Sequence, residues 1–377
     1  MMEVQFNPGQ LKLARLTRGY TMAQLAEKAS LSRESISKYE RGFTIPRGES
    51  IIKIAKALKF PINFFGKSSQ FVSTGPVFFR SQAASTNKLR DMQKARLKFE
   101  IENTNYISQY IQLPRLNIPQ PLNIEIKDIN LEEIKNIAHK VRQLWKLGNG
   151  PIKNLTNTME VNGIIIVETT MKSQKMDAVS TWANGRPFIA LTNNGESPMR
   201  RRFNLAHELG HLLLHNSVDN IFELNSKVYK NILERQANQF ASDLLLPDRE
   251  FSNFMLSTNM AFFCEAKKYW NVSISALIYK ANSLHLLSEN QYLYLEKQLS
   301  RNGWRIHEPG DNDLPQERPK IFKESLKMLL DAGVTTKQNV EANLALPIDE
   351  LEATFQTDFS NDNVGSFTTK PHLRIIK

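Results

Sequence analysis

Residues 201–215, RRFNLAHELGHLLLH, hold two histidines four positions apart, His207 and His211, with Glu208 directly after the first. On a helix, such positions lie ~40° apart around the axis and ~6 Å along it. Two imidazoles at that spacing can converge on one tetrahedral zinc ion. A glutamate just after the first ligand is carried close to the metal but cannot easily ligate it. That is the placement of a general base toward a metal-activated water. Leu205, Leu209, Leu212 and Leu213 would bury the helix.

A catalytic zinc takes a third protein ligand. His215 lies ~12 Å along a straight helix from His207, too far to share a coordination sphere ~2 Å in radius. Leu212–Leu214 leave no turn to bring it back, so packing or support of a ligand is its expected role. Glu234, in NILERQANQFASDLLLP, is better placed. Ala237, Phe240, Ala241, Leu244 and Leu245 trace the buried stripe of a helix, and Glu234 lies along it. A carboxylate directed into a core needs a partner. A metal held by two neutral imidazoles is one; an ion pair with Arg201 or Arg202 is the alternative. Asp243 falls on the opposite face and is expected in solvent.

The order of a hairpin-like DAVSTWANGRPFIALT, then RRFNLAHELGHLLLH, then ERQANQFASDLLLP resembles the ImmA/IrrE family of metallopeptidases, over residues 130–250. The resemblance implies a gluzincin-like zinc peptidase fold with one zinc ion. It implies His207, His211 and Glu234 as ligands and Glu208 as catalytic base and acid. Family members cut XRE-type repressors, and many share a chain with an XRE domain. The implied partner is therefore a protein substrate, an XRE-type repressor or a toxin-system partner. Such a substrate is expected to bind extended, adding a strand to the edge of a small sheet. Tyr229, Tyr279 and His215 are the only residues offered as oxyanion helpers, and nothing singles one out.

The elements around this motif can be read in outline. An apolar run, GIIIVE at 163–168, has strand length, and AVSTWA and RPFIALT flank Asn184-Gly185, a strong hairpin signal. Asn130 is placed to cap a helix with Glu133 at its third position. Its stripe would be Leu131, Ile134, Ala138, Val141, Leu144 and Trp145. Further on, residues 261–288 read as helix, turn, helix, with Ala266, Tyr269, Val272, Leu277 and Ala281 inward. Their weak local charge favours substrate or partner docking over a second DNA site. Residues 320–352 read as two short helices. The lone cysteine, Cys264, reads as a small apolar residue and not as a nucleophile.

The front end has a different character. Thr21 and Gln24 can form a capping box on TMAQLAEKA, and Ser32 can cap SRESISKYERG, which stops at Gly42. Leu11, Ala14 and Leu16 share a face of a preceding helix. Leu25, Ala26, Ala29, Ile36 and Tyr39 would face inward, as would Ile51, Ile54, Ala55 and Leu58 on a fourth helix over 47–58. A break at Ser30-Leu31 separates the second and third helices. Two short helices with a tight turn follow the helix-turn-helix plan. LTRGYTMAQLAEKASLSRESISKYERGFTIP resembles the XRE-type, phage-repressor-like DNA-binding domain, with Met22 where these domains often carry Gln. By that resemblance Arg33, Glu34, Ser37 and Lys38 are the base-reading candidates for double-stranded DNA.

Charge supports this division. The net charge is +11: residues 1–67 hold 12 Lys/Arg against 5 Asp/Glu, residues 68–100 hold 6 against 2, and residues 101–377 hold 31 against 31. A basic front end on a neutral body meets a polyanion through the front end alone. One cysteine permits no intrachain disulfide, which fits a cytoplasmic setting. No run approaches the ~18 apolar residues of a membrane span, so no membrane partner is expected. DNA modules of this kind read paired half-sites, so a homodimer is expected, although no heptad seam marks one.

The expected architecture is α+β and mainly helical. An all-α, lambda-repressor-like helix-turn-helix domain occupies residues 1–67, followed by a linker and connecting helix over 68–129. The gluzincin-like zinc peptidase domain, a small sheet plus the HExxH helix, spans 130–255. A helical C-terminal region spans 256–352 and a polar tail 353–377. The leading functional expectation is a DNA-binding regulatory zinc metallo-endopeptidase. The alternative is an XRE-family regulator or antitoxin-like component whose metalloprotease-like domain senses or binds with little catalysis.

Overall fold

Capping side chains start the first helices where the sequence places them. In the structure, a computed structural model that describes residues 6–68, 75, 77–81, 87–169, 176–192, 195–216, 227–311, 313–359 and 373–376, α1 spans Pro8–Thr17, α2 Met22–Ala29, α3 Arg33–Glu40 and α4 Gly48–Leu58. Thr21 and Gln24 form the capping box on α2, and Ser32 accepts from the Ser35 N–H at the start of α3. Ser30 takes the left-handed conformation, φ 52°, that joins α2 to α3. Leu11, Ala14, Leu25, Ala26, Ile36, Ile54 and Leu58 are buried together. Leu16 and Tyr39, expected inward, are only half-buried.

A four-stranded sheet lies at the centre. Its strands are β1 (Phe78–Ser81), β3 (Ile165–Thr169), β4 (Met176–Ala183) and β5 (Arg186–Thr192), in the order β1-β4-β5-β3. β4 and β5 form the hairpin around Asn184 and Gly185, both at positive φ (51° and 70°). β3 runs parallel to β5, and β1 antiparallel to β4. A second small sheet pairs β2 (Ile111–Gln112) with β6 (Arg374–Ile375).

Alternation along the strands gives the main sheet two apolar faces. Ile164, Ile166, Ala178, Ile189 and Leu191 join the core of α8 (Pro198–Leu214) and α9 (Lys227–Leu245). Also in that core are α6 (Leu131–Leu144), α11 (Met260–Trp270) and α12 (Ile274–Ser283). Ile165, Val167, Val179, Phe188 and Ala190 face the other way, into a core shared with the front-end helices. That second core includes α5 (Asn87–Ile107), α14 (Ile321–Asp331), α15 (Lys337–Leu344) and α16 (Ile348–Phe355). The other α-helices among the described residues are α7 (Leu155–Val161), α10 (Asp248–Phe254) and α13 (Glu289–Arg301).

The stretch expected as linker and connecting helix is therefore built into the fold. Of the linker-like KSSQFVSTGP, only Lys67, Ser68 and Gly75 are described. Downstream of it, β1 takes the edge of the sheet beside β4. Phe99 of α5 packs on Phe64 (5.8 Å) and Phe60 (5.9 Å) of the front end. Lys67 Nζ reaches Glu102 (3.0 Å) and the Leu344 carbonyl (2.8 Å). Arg18 pairs with Asp349 at 2.9 Å. The basic front end is docked on the body, not strung from it.

Other expectations shift in detail. Among the described residues three helices, not two, follow residue 320, and α16 carries buried Phe355 into the stretch expected to be a polar tail. Residues 360–372 of that tail lie outside the described residues. Leu131 and Leu144 are exposed because the α6 stripe centres on Ile134, Ile137, Ala138 and Val141. Tyr269 is exposed, stacked flat on Phe254.

Candidate metal centre

The HELGH stretch lies in the middle of α8, with no solvent exposure at His207 or Glu208 and 1% at His211. Ser197 caps the helix and Pro198 takes its first position. α9 crosses α8 closely, and the close approach centres on Gly210. A Cβ there would lie 3.0 Å from Phe240 Cδ1 and 3.2 Å from Ala237 Cα. The contact brings Glu234 of α9 to the histidine pair. His207 Nε2 lies 3.0 Å from His211 Nε2, and the Glu234 carboxylate lies 3.4 Å from the first and 3.7 Å from the second. The three ligand atoms all lie within 4.8 Å of one another.

The alternative partners for Glu234 are engaged elsewhere. Arg201 pairs with Glu168 at 2.5 Å, and Arg202 pairs with Glu317. Glu234 is not sunk in the core as its stripe suggested; 42% of its side chain is accessible. Burial alone would raise its carboxyl. Hydrogen bonds and positive charge from His207 and His211 in their protonated form overcome that and hold it well below the usual carboxylate range.

Each imidazole is oriented from its other nitrogen. His207 Nδ1 lies 2.9 Å from Asn238 Oδ1, four residues past Glu234 on α9. His211 Nδ1 lies 2.9 Å from His215 Nδ1. The ring of Phe78, from β1, lies parallel to His211 at 5.1 Å. Ser180, on β4, donates its hydroxyl to Glu208 Oε2 at 2.5 Å. Two histidines presenting Nε2 and one carboxylate form a donor set of the kind that holds a catalytic zinc.

Asp243 is not solvated. It is buried against Lys280 of α12 at 2.6 Å, and Lys280 also reaches Asp248. Tyr279 stands on the wall of a cavity of about 740 Å³ that opens onto Glu234 and Asn238. Tyr229 does not line it, and His215 is fully buried. Phe203 of α8, Tyr292 of α13, Trp304 and Ile306 also line that wall.

Residues 159–282 match a family model described as an IrrE N-terminal-like domain, and residues 11–65 match a helix-turn-helix model. The chain thus carries a stretch similar to a helix-turn-helix domain ahead of one similar to an IrrE N-terminal-like domain. Metallopeptidase ImmA of Bacillus subtilis (strain 168) is 27% identical over 165 residues, which covers 44% of this chain and 95% of that relative. The ImmA/IrrE-type match contains the HELGH helix, Glu234 and the β4–β5 hairpin. It leaves outside β1, with Phe78, and the cavity residues Tyr292 and Trp304.

In the helix-turn-helix domain, Arg33, Glu34 and Lys38 stand exposed on α3, and Ser37 is half-buried. Glu34 and Lys38 pair along the helix at 2.8 Å. Among the described residues no helix is long and apolar enough to cross a membrane.

Ser180, Asn238 and Phe78 were not singled out by sequence. Ser180 leaves one signal, a small polar residue on the apolar face shared by Ala178 and Trp182. Asn238 leaves another, one helical turn past Glu234. Phe78 leaves none, because it lies about 130 residues from its partner in a segment that reads as linker.

Proposed function

We propose that the chain is a DNA-binding regulatory zinc metallo-endopeptidase acting on a protein substrate, an XRE-type repressor or a toxin-system partner. The observation that carries the reading is the convergence of His207, His211 and Glu234 from two helices, with Glu208 buried beside them. These three residues would hold one zinc ion. Zinc supplies Lewis-acid polarisation of a peptide carbonyl and an acidified water. Glu208 takes the proton of the attacking water on its carboxylate and delivers it to the leaving nitrogen. Ser180, donating to Oε2, fixes the rotamer from which Glu208 acts.

A protein segment fits the approach to this site. The cavity that opens onto Glu234 has an aromatic wall and a volume within the ordinary range of ligand pockets, room for several side chains of a segment. The XRE assignment rests on the family resemblance, in which such peptidases cut XRE-type repressors. DNA binding is assigned to α3, whose Arg33, Glu34, Ser37 and Lys38 would meet base edges in the major groove.

Metal analysis of the purified full chain tests the site. One zinc per chain is expected in the wild type, with the bound metal largely lost in His207→Ala and in Glu234→Ala. Equal zinc in all three proteins would remove this constellation as the metal site.

A further inference from the structure

His215 was set aside as a ligand on distance, yet it is fully buried and holds two hydrogen-bond contacts. Its Nδ1 meets His211 Nδ1 at 2.9 Å. Its Nε2 meets Gln236 Oε1 at 3.0 Å. Gln236, 5% exposed on α9, points its Nε2 at two main-chain carbonyls, Ile126 O at 2.9 Å and Ile129 O at 3.1 Å.

The end of this chain fixes the direction of every proton in it. Carbonyl oxygens only accept, so the Gln236 amide must present its NH₂ to Ile126 and Ile129. A flipped amide would set its oxygen against two others in a buried place. Oε1 therefore faces His215 and can only accept, so His215 carries its proton on Nε2. In a neutral imidazole the other nitrogen is then an acceptor. His211 must donate to it from Nδ1, which leaves the Nε2 lone pair of His211 directed at His207 Nε2 and Glu234.

We infer that His215 and Gln236 are positioning residues that lock His211 in its Nδ1–H tautomer, so that its Nε2 is preset as a metal ligand. The inference rests on the metal-site reading above. The relay is anchored on residues 126 and 129, outside the stretch that matches the IrrE-like model. Helix α8 alone therefore does not set the site. The main chain leading into α6 holds one of its ligands through two side chains. His207 is held in the same sense by the simpler contact to Asn238 Oδ1.

The substitutions that discriminate keep or break the hydrogen-bond polarity. In His215→Gln, a side-chain oxygen can accept from His211 Nδ1–H while the NH₂ donates to Gln236 Oε1. In His215→Leu and Gln236→Leu, the relay is cut with similar bulk. Zinc affinity is read by competition of the full chain with a chromophoric chelator. Both leucine variants should bind zinc about 10- to 100-fold more weakly, and His215→Gln should stay near wild type. Equal affinity across wild type and the leucine variants overturns the inference, as does an equal loss in the glutamine and leucine variants.

A second measurement needs no variant. Imidazole ¹⁵N spectra of the metal-free wild type should show His211 protonated at Nδ1 and His215 at Nε2. The opposite tautomer at His211 overturns the inference. Should wild type bind no zinc, the metal-site reading falls while the tautomers still decide the relay.

Discussion

At the scale of single residues, the candidate site was legible where one helix carried it. His207, Glu208 and His211 follow from spacing alone, and Glu234 from an apolar stripe on a second helix. Partners supplied by distant elements were not legible. Asp243 reads as a solvent-facing residue because its cation, Lys280, lies 37 positions away on another helix and is itself buried. Glu234 could have been an ion-pair partner of Arg201 or Arg202 until Glu168 and Glu317 were seen to hold them. The orienting groups Asn238, Gln236 and Ser180 are ordinary polar side chains whose roles appear only when two elements meet.

At the scale of elements, the crossing of α8 and α9 decides whether there is a site at all. Glycine inside a helix costs about 1 kcal/mol relative to alanine, so its presence at 210 calls for a reason. The reason is the approach of Phe240 and Ala237 to within 3.0 and 3.2 Å of a Cβ there. Gly210→Ala should destabilise the protein by about 0–2 kcal/mol net, overpacking of about 1–3 kcal/mol being offset by about 1 kcal/mol of helix propensity. It should also lower zinc affinity by pushing Glu234 away from the histidines. Urea unfolding and zinc titration check both, and a variant as stable as wild type with unchanged zinc binding would show that the crossing tolerates separation. The hairpin, α3 and α6 were readable because caps and turns are local. β1 was not, since a short strand after a linker-like stretch carries almost no periodic signal and gains its place only by pairing with β4.

At the scale of the whole molecule, the two-part charge distribution was read correctly but its mechanical meaning was not. A basic front end on a neutral body suggests a tether. The structure instead shares one apolar core between the helix-turn-helix domain, α5, the back of the sheet and α14–α16. α3 buries Ile36 in that core but leaves Arg33, Glu34 and Lys38 exposed, so docking does not cover these side chains. The full chain should bind duplex DNA with a steep loss of affinity as salt rises. Arg33→Ala and Lys38→Ala should each weaken it. Binding that both substitutions leave intact would remove α3 as the reading helix.

The shared core also contains a titratable device. Glu100 of α5 is 5% exposed and receives the Thr354 hydroxyl from α16 at 2.9 Å. Burial pushes its carboxyl up to about 8, with hydrogen bonds from Thr354 and Asn103 opposing the rise. A carboxyl raised in the folded state favours folding most at low pH. That contribution is lost as pH climbs from the ordinary carboxylate value of 4.5 through about 8. Its slope is at most about 1.4 kcal/mol per pH unit. Denaturant unfolding between pH 5 and 9 should show stability falling in wild type and a flatter profile in Glu100→Gln. Parallel profiles would place the titration elsewhere.

The central claim is that these helices form a working peptidase, and cleavage with matched metal content tests it most directly. Wild type and Glu208→Gln, both shown to carry one zinc per chain, are incubated with candidate XRE-type repressors and the fragments are read by mass spectrometry. The account predicts a defined cut by wild type and a loss of at least about 100-fold in Glu208→Gln, the scale of a general acid–base contribution. A cut that persists unchanged in Glu208→Gln, or zinc-loaded wild type that cuts none of the candidates, would contradict it.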